Sequence, residues 1–206
     1  MTGLTLDRIA IRRGAKTLLA IATHVPPGVI LTIMGPSGSG KSTLLACLTG
    51  TLPRAFTATG RIHLDGRDIT ELPIEARRIG LLFQDDLLFP HLSVAQNLGF
   101  GLRARRNRAR LIDDALAEVG LSGMGDRDPA TLSGGQRARV ALMRTLLSEP
   151  HALLLDEPFS RLDADRRART RETVFARARD RRLPTLLVTH DADDARAAAG
   201  PVIHLN

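Results

Sequence analysis

Tryptophan and tyrosine are absent from this chain of 206 residues, and aromatic residues make up 3% of it. Single-stranded nucleic acids bind where bases stack on aromatic side chains. That class of partner is therefore disfavoured, although the formal net charge is +7 and the isoelectric point is near 11.1. Lysine is scarce too: Lys16 and Lys41 are the only two. The basic charge is almost all arginine in an alanine- and glycine-rich chain, a pattern expected from a GC-rich coding sequence. Cys47 is the single cysteine, which excludes an intramolecular disulfide and points to a reducing compartment. No apolar run is long enough to span a bilayer, because Gly, Pro or a charge interrupts each one. The first residues carry Asp7, Arg8, Arg12 and Arg13 among short apolar stretches, which does not fit a secretory signal. Hydrophobic content of 43% and charged content of 25% suit one soluble globular domain with one good core.

Against these absences stands Leu132-Ser133-Gly134-Gly135-Gln136. Ser133 is a good helix N-cap, and Gln136 three positions later completes a capping box. The sequence after it reads as a helix with Val140, Met143 and Leu147 on one face, stopped by Pro150. Two glycines inside the cap leave backbone N–H groups bare at the positive end of a helix, which suits an anion.

A source of anion lies upstream. Gly35-Pro36-Ser37-Gly38-Ser39-Gly40-Lys41-Ser42 matches G-x-x-x-x-G-K-[ST], between the strand-like run Val29–Met34 and a helix expected from Lys41 to about Leu52. Glycines let the backbone turn its N–H groups onto phosphate oxygens. Lys41 reaches the β- and γ-phosphates, the Ser42 hydroxyl is a hard ligand for Mg²⁺, and Thr43 stands beside it in the first turn. The run Leu153-Leu154-Leu155 ends in Asp156 and Glu157. Open α/β sheets bind ligands at that end of their strands. Asp156 is the metal carboxylate and Glu157 the group that orients or deprotonates water, the division of labour phosphoryl transfer requires. His190 ends a second apolar strand, Leu186–Thr189, and Gln84 closes Gly80–Phe83 with an amide able to sense Mg²⁺ or water.

Strand-like segments at Arg61–Leu64, Arg78–Phe83, Ala152–Leu155, Thr185–Thr189 and Val202–Leu205 alternate with helical ones, which argues for a mostly parallel sheet. Helices are expected at Val94–Arg106, Arg110–Val119 and Asp163–Arg181, and the middle of the chain reads as an inserted helical lobe. The basic clusters Arg103–Arg110 and Arg177–Arg182 read as solvated helix faces, with anionic lipid headgroups as the functional alternative.

With these residues in place, the chain resembles, end to end, the ATP-binding subunit of an ATP-binding cassette (ABC) transporter. The nucleotide loop is Gly35–Ser42, the Q-loop Gln84, the signature Leu132–Gln136, the Walker B pair Asp156 and Glu157, the D-loop Ser160–Asp163 and the switch histidine His190. The resemblance implies an α/β fold, a P-loop NTPase core of RecA type with an N-terminal antiparallel β subdomain and an inserted α-helical subdomain. It implies one domain, with 1–87 and 150–206 forming the core and β subdomain and 88–149 the helical signature subdomain. ATP and Mg²⁺ follow as cofactors. A second copy of the chain follows as partner, paired head to tail, so that Ser133, Gly134, Gly135 and Gln136 meet the γ-phosphate held by the other copy.

The segment Gln84–Val94, with Asn97 and Gly99–Leu102 after it, is similar to bacterial importer ATPases for thiamine, iron, molybdate, polyamines and sugars. In that group this segment forms a groove for a short cytoplasmic helix of the permease. The lead-in Asp128-Pro129-Ala130-Thr131 resembles a thiamine-like branch. Membrane permease subunits, with a periplasmic or extracellular substrate-binding protein, and a site on the cytoplasmic face of the inner membrane are the implied setting. Nucleic acid is not an implied partner. An exporter ATPase or a non-transport ABC ATPase is the alternative. Two departures stand out. Arg13, next to Gly14, takes the place of the usual aromatic residue under adenine, so GTP is expected to compete better than usual. The chain stops at Asn206, so effector control by an added domain is not expected.

Overall fold

The computed structural model describes residues 2–83, 87–104, 106–160, 162 and 164–205, the side chains of 164–166 excepted. The expectations placed on Gln84, Arg161 and Asp163 lie outside the described residues. Two compact units divide the chain: residues 1–81, 151–157 and 177–206 in one, 82–150 and 158–176 in the other.

The first unit opens with β1 (Leu4–Arg13) and β2 (Lys16–Val25), an antiparallel pair. β3 (Ile30–Met34) leads into the nucleotide loop and α1 (Lys41–Thr49). β4 (Thr57–Leu64) and the short β5 (Arg67–Asp68) complete a four-stranded sheet in the order β2-β1-β4-β5. After α2 (Ile74–Arg77) comes β6 (Ile79–Leu82), an edge of the second sheet.

In the second unit, α3 (Val94–Gly101), α4 (Arg108–Glu118), a single 3-10 turn (Pro129–Thr131) and α5 (Gly134–Leu147) follow one another. The chain then returns through β7 (Ala152–Asp156), α6 (Ala164–Asp180), β8 (Thr185–Val188), α7 (Ala192–Ala198) and β9 (Val202–His204). The five-stranded sheet has the order β6-β7-β8-β3-β9, with parallel pairing of β7 to β8, β8 to β3 and β3 to β9.

The apolar texture explains these elements. Leu153, Leu154, Leu155, Leu186, Leu187 and Val188 are all fully buried, the continuous apolar pattern of a parallel strand covered on both faces. β1 shows a different device. Leu4 and Leu6 are buried in one phase, Ile9 and Ile11 in the other. A register shift between Leu6 and Ile9, with Arg8 at φ 50, is the bulge that switches the phase. Gly60 on β4 lies against it: a Cβ there would stand 2.4 Å from the Arg8 carbonyl oxygen. Leu4, Leu6, Ile9 and Ile11 join Leu44, Leu48, Leu154, Leu186 and Val188 in one core around α1.

Two helix ends differ from the sequence expectation. α3 stops at Gly101 rather than running to Arg106, because Leu102 leaves the helical region at ψ 117 and Arg108 donates to the carbonyls of Gly99 and Leu102. α1 stops at Thr49, capped by Gly50 in the left-handed region at φ 82. In the second unit, the buried amide of Asn97 fixes the preceding loop: it accepts from the Phe89 N–H at 2.8 Å and donates to the carbonyls of Phe89, Leu92 and Ser93.

Candidate nucleotide site

Lys41 opens α1 and is 8% exposed. Its ammonium donates to the carbonyl oxygens of Gly35 and Pro36, both at 2.8 Å, so the loop closes around its own lysine. Gly40 is the N-cap, at φ 92, a conformation that L side chains rarely adopt. A Cβ there would also meet Leu19 at 2.8 Å, so β2 packs tightly under the loop. Ser39 is buried, and its hydroxyl has no hydrogen-bond partner among the described residues. Ser37 and Gly38 form the exposed tip, and Ser42 and Thr43 follow Lys41 in the first turn of α1.

Asp156 closes β7 and receives a hydrogen bond from the Ser42 hydroxyl. Burial raises the Asp156 carboxyl above its ordinary range, and the neighbouring Glu157 charge adds to this; the Ser42 bond and Lys41 act in the opposite direction. Glu157 sits at φ 48, a left-handed backbone for a residue with a side chain. That conformation costs about 1–3 kcal/mol and recurs at functional sites. Its N–H is held by the Val188 carbonyl at 2.9 Å. The His190 ring comes from the end of β8: its Nδ1 lies 2.5 Å from Glu157 Oε2, with the ring itself largely exposed. The structure therefore brings Lys41, Ser42, Asp156, Glu157 and His190 together at the C-terminal edge of the parallel sheet. Arg13 ends β1 as an exposed residue.

The signature residues belong to the second unit. Ser133 is the N-cap of α5, and the capping box is complete. The Gln136 N–H donates to the Ser133 hydroxyl at 3.3 Å, and the Ser133 N–H donates to Gln136 Oε1 at 2.8 Å. The Gly134 and Gly135 N–H groups, in the first turn, have no acceptor among the described residues. Leu132 is buried, and Val140, Ala141, Leu142, Met143 and Leu146 bury the helix behind them.

The sequence reading missed three features near these sites. Arg77, 7% exposed, donates to the carbonyls of Cys47 and Leu48 at the end of α1. Phe89 packs against Phe100 with ring centroids 4.7 Å apart, under the Arg144 guanidinium at 5.2 Å, and beside the exposed Leu87. Asp191 caps α7 by accepting from the N–H groups of Asp193 and Asp194. An Asp directly after an apolar strand and before alternating acids and alanines is a readable start signal for that last helix. Arg77 and the ring cluster have no comparable local signal.

The family description "ABC transporter" matches residues 18–160. The chain is similar to the uncharacterized ABC transporter ATP-binding protein YnjD of Escherichia coli (strain K12), 48% identical over 94% of this chain and 91% of that protein. It is also similar to the thiamine import ATP-binding protein ThiQ of Cereibacter sphaeroides, 46% identical over 95% of this chain and 85% of that protein. The sulfate/thiosulfate import ATP-binding protein CysA of Thermosynechococcus vestitus is 40% identical over 99% of this chain, which spans 61% of that longer protein. Matching family description, close relatives and a P-loop with paired strand-end carboxylates agree: the chain belongs to the ABC transporter family, as an ATP-binding, ATP-hydrolysing subunit.

Proposed function

We propose that this chain is the ATPase subunit of a bacterial importer, acting as a head-to-tail dimer bound to membrane permease subunits on the cytoplasmic face. The observation that carries the catalytic part is the cluster at the sheet edge. A lysine and a serine of the nucleotide loop lie with the Asp156 and Glu157 carboxylates, and His190 is in contact with Glu157. Import is favoured by the relatives named for thiamine and sulfate/thiosulfate import.

The residues fit Mg²⁺. The Ser42 hydroxyl and the Asp156 carboxylate are hard oxygen donors already joined by a hydrogen bond, and burial makes a bare charge on Asp156 costly. No group of three or more His, Cys, Asp or Glu able to hold a metal occurs among the described residues. Ser42 and Asp156, with Gln84, would hold the ion beside the phosphates. When bound, the ion offsets charge on the transferring phosphoryl group.

Each residue then has a task. Gly35, Pro36, Ser37, Gly38, Ser39 and Gly40 wrap the phosphates with backbone N–H groups, and Thr43 extends that cradle. Lys41 exchanges the Gly35 and Pro36 carbonyls for phosphate oxygens. Glu157 accepts a hydrogen bond from the attacking water, His190 holds the Glu157 carboxylate, and Gln84 reports the state of the metal and water. Arg13 lies flat on the base. Ser133, Gly134, Gly135 and Gln136 present a helix N-terminus to the γ-phosphate bound by the other copy. The apolar surface of Leu87, Phe89 and Phe100 receives a permease helix, and the two units work as one cassette.

Glu157→Gln tests the reading. The variant is expected to bind MgATP with wild-type affinity, to lose hydrolysis by a factor of about 10³, and to accumulate an ATP-bound dimer in size-exclusion chromatography. Wild-type turnover in this variant would remove Glu157 from the reaction. A monomer at saturating MgATP would remove the head-to-tail arrangement.

A further inference from the structure

His190 leaves the sheet on a corner between strand and helix. β8 ends at Val188, α7 begins at Ala192, and Thr189, His190 and Asp191 make the turn. The His190 side chain is 67% exposed, and its Nδ1 stands 2.5 Å from Glu157 Oε2. An exposed ring is aimed only as well as the backbone beneath it is held. Three acids follow the corner, Asp191, Asp193 and Asp194, and the fold gives each a different place. Asp191 caps α7. Asp193 is exposed and pairs with Arg196. Asp194 turns inward and is 2% exposed.

Burying a carboxylate is costly unless hydrogen bonds hold it. Asp194 Oδ2 accepts from the Thr189 hydroxyl at 3.3 Å, inside the corner. That hydroxyl accepts in turn from the Asp191 N–H at 3.1 Å. The Asp191 carboxylate accepts from the Asp193 N–H at 2.7 Å and the Asp194 N–H at 3.4 Å, which closes a ring of bonds around the turn. Thr189 is 1% exposed, and its own N–H donates to the Ile33 carbonyl of β3 at 3.2 Å. Both chain neighbours of His190 are therefore fixed through one hydroxyl. A hydroxyl rotates to suit its partners. Donating to Asp194 leaves it only lone pairs to offer the Asp191 N–H, so the buried carboxylate sets its direction. The residue before Thr189 takes part as well: the Val188 carbonyl holds the Glu157 N–H at 2.9 Å. The two ends of the Glu157–His190 contact are thus referenced to the same short stretch of chain.

We infer that Asp194 and Thr189 are positioning residues: through the Thr189 hydroxyl they hold the turn that aims the His190 ring at Glu157. They act through His190 and not on phosphate or water. The consequence for hydrolysis rests on the roles proposed above for Glu157 and His190; the positioning itself does not.

The test reads the ring and the turnover separately. The histidine rings of the full chain are labelled with ¹⁵N, and the His190 signals are identified by their loss in His190→Gln. Glu157→Ala then shows where those signals lie when the contact is absent. Thr189→Val and Asp194→Ala should each move the His190 signals towards the Glu157→Ala position at the same pH, and Thr189→Ser should leave them in place. Displacing a catalytic group by about 1 Å costs up to about 100-fold in rate. A turn that is loosened rather than moved should cost about tenfold in kcat for MgATP, with KM within about twofold, and Thr189→Ser should recover the rate. The Thr189 pair stays decisive if Asp194→Ala fails to fold. Ring signals unchanged in Thr189→Val overturn the proposal. So does a Thr189→Ser variant that shares the displacement, because the lost element would then be the methyl group and its packing. Displaced ring signals with an unchanged kcat would leave the positioning intact and remove His190 from hydrolysis.

Discussion

Arg77→Ala is expected to destabilise the protein more than any surface substitution, although Arg77 forms no salt bridge among the described residues and lies outside every motif. Its guanidinium donates Nε to Leu72 O at 2.8 Å, Nη1 to Cys47 O and Leu48 O at 2.9 Å each, and Nη2 to Thr70 O at 2.5 Å. Cys47 and Leu48 lie in the last turn of α1, where helix carbonyls lack intrahelical partners. A cation at that end also faces the negative pole of the helix. A hydrogen bond to a charged group contributes about 1.5–3 kcal/mol, but four bonds sharing one guanidinium do not add. We therefore expect a loss of about 3–4 kcal/mol in total. For a chain of this size each kcal/mol lowers Tm by about 2–4 °C, so the fall should be about 10 °C in a thermal-shift or calorimetric scan. Arg77→Lys keeps the charge but not the planar fork, and should lose about half as much. α1 starts at Lys41 and Ser42, so loosening its end should also weaken MgADP binding. A fall in Tm of less than about 2 °C for Arg77→Ala would refute the idea that this residue clamps α1.

Asp156→Asn should raise the Tm of the nucleotide-free protein at pH 7–8 while abolishing hydrolysis. The folded carboxyl has a raised pKa, so the ionised form is penalised at neutral pH; the penalty is relieved as pH falls through the raised value and is gone below the unfolded one, near 3.9. The Tm gap should accordingly close as the scans move to acid, and a constant gap would refute burial as its cause. Ser133→Arg should abolish hydrolysis and leave MgATP binding to the monomer within about twofold, read by fluorescent-nucleotide titration. Loss of the cap should also cost about 1 kcal/mol of stability.

The nucleotide loop, the Asp156–Glu157 pair and the α5 cap were legible in the sequence for one reason. Each is a short run of residues whose own backbone makes the geometry. Ser133 and Gln136 form the expected reciprocal bonds, and Lys41 opens its helix as the spacing predicts. The parallel strands were legible because burial on both faces writes continuous apolar runs. β1 and β2 were not placed from periodicity, because the bulge at Arg8 reverses the alternation halfway along β1. The antiparallel subdomain came only from the family resemblance. Arg77, Arg139 and Asn97 were invisible for a different reason. Their partners are backbone groups, reached across up to 30 positions of sequence, and any residue supplies a carbonyl.

The polar groups of the nucleotide loop and of the adjoining strand ends are bonded largely to one another. Lys41 is bonded to two carbonyls of its own loop, Asp156 to Ser42, and Glu157 to His190. Incoming MgATP therefore exchanges hydrogen bonds rather than creating them. Binding at the first loop draws on the difference between a carbonyl and a phosphate oxygen as partners for Lys41, a charge-assisted contact roughly twice as strong as a neutral one. The Gly134 and Gly135 amides, by contrast, have no acceptor among the described residues to give up. On the proposed reading, closure of the dimer is where the largest uncompensated gain lies. The γ-phosphate then becomes the group whose loss reverses closure, because ADP leaves those two amides bare again. On that reading Glu157 stays held against His190 in a lone copy, which is expected to hydrolyse ATP slowly.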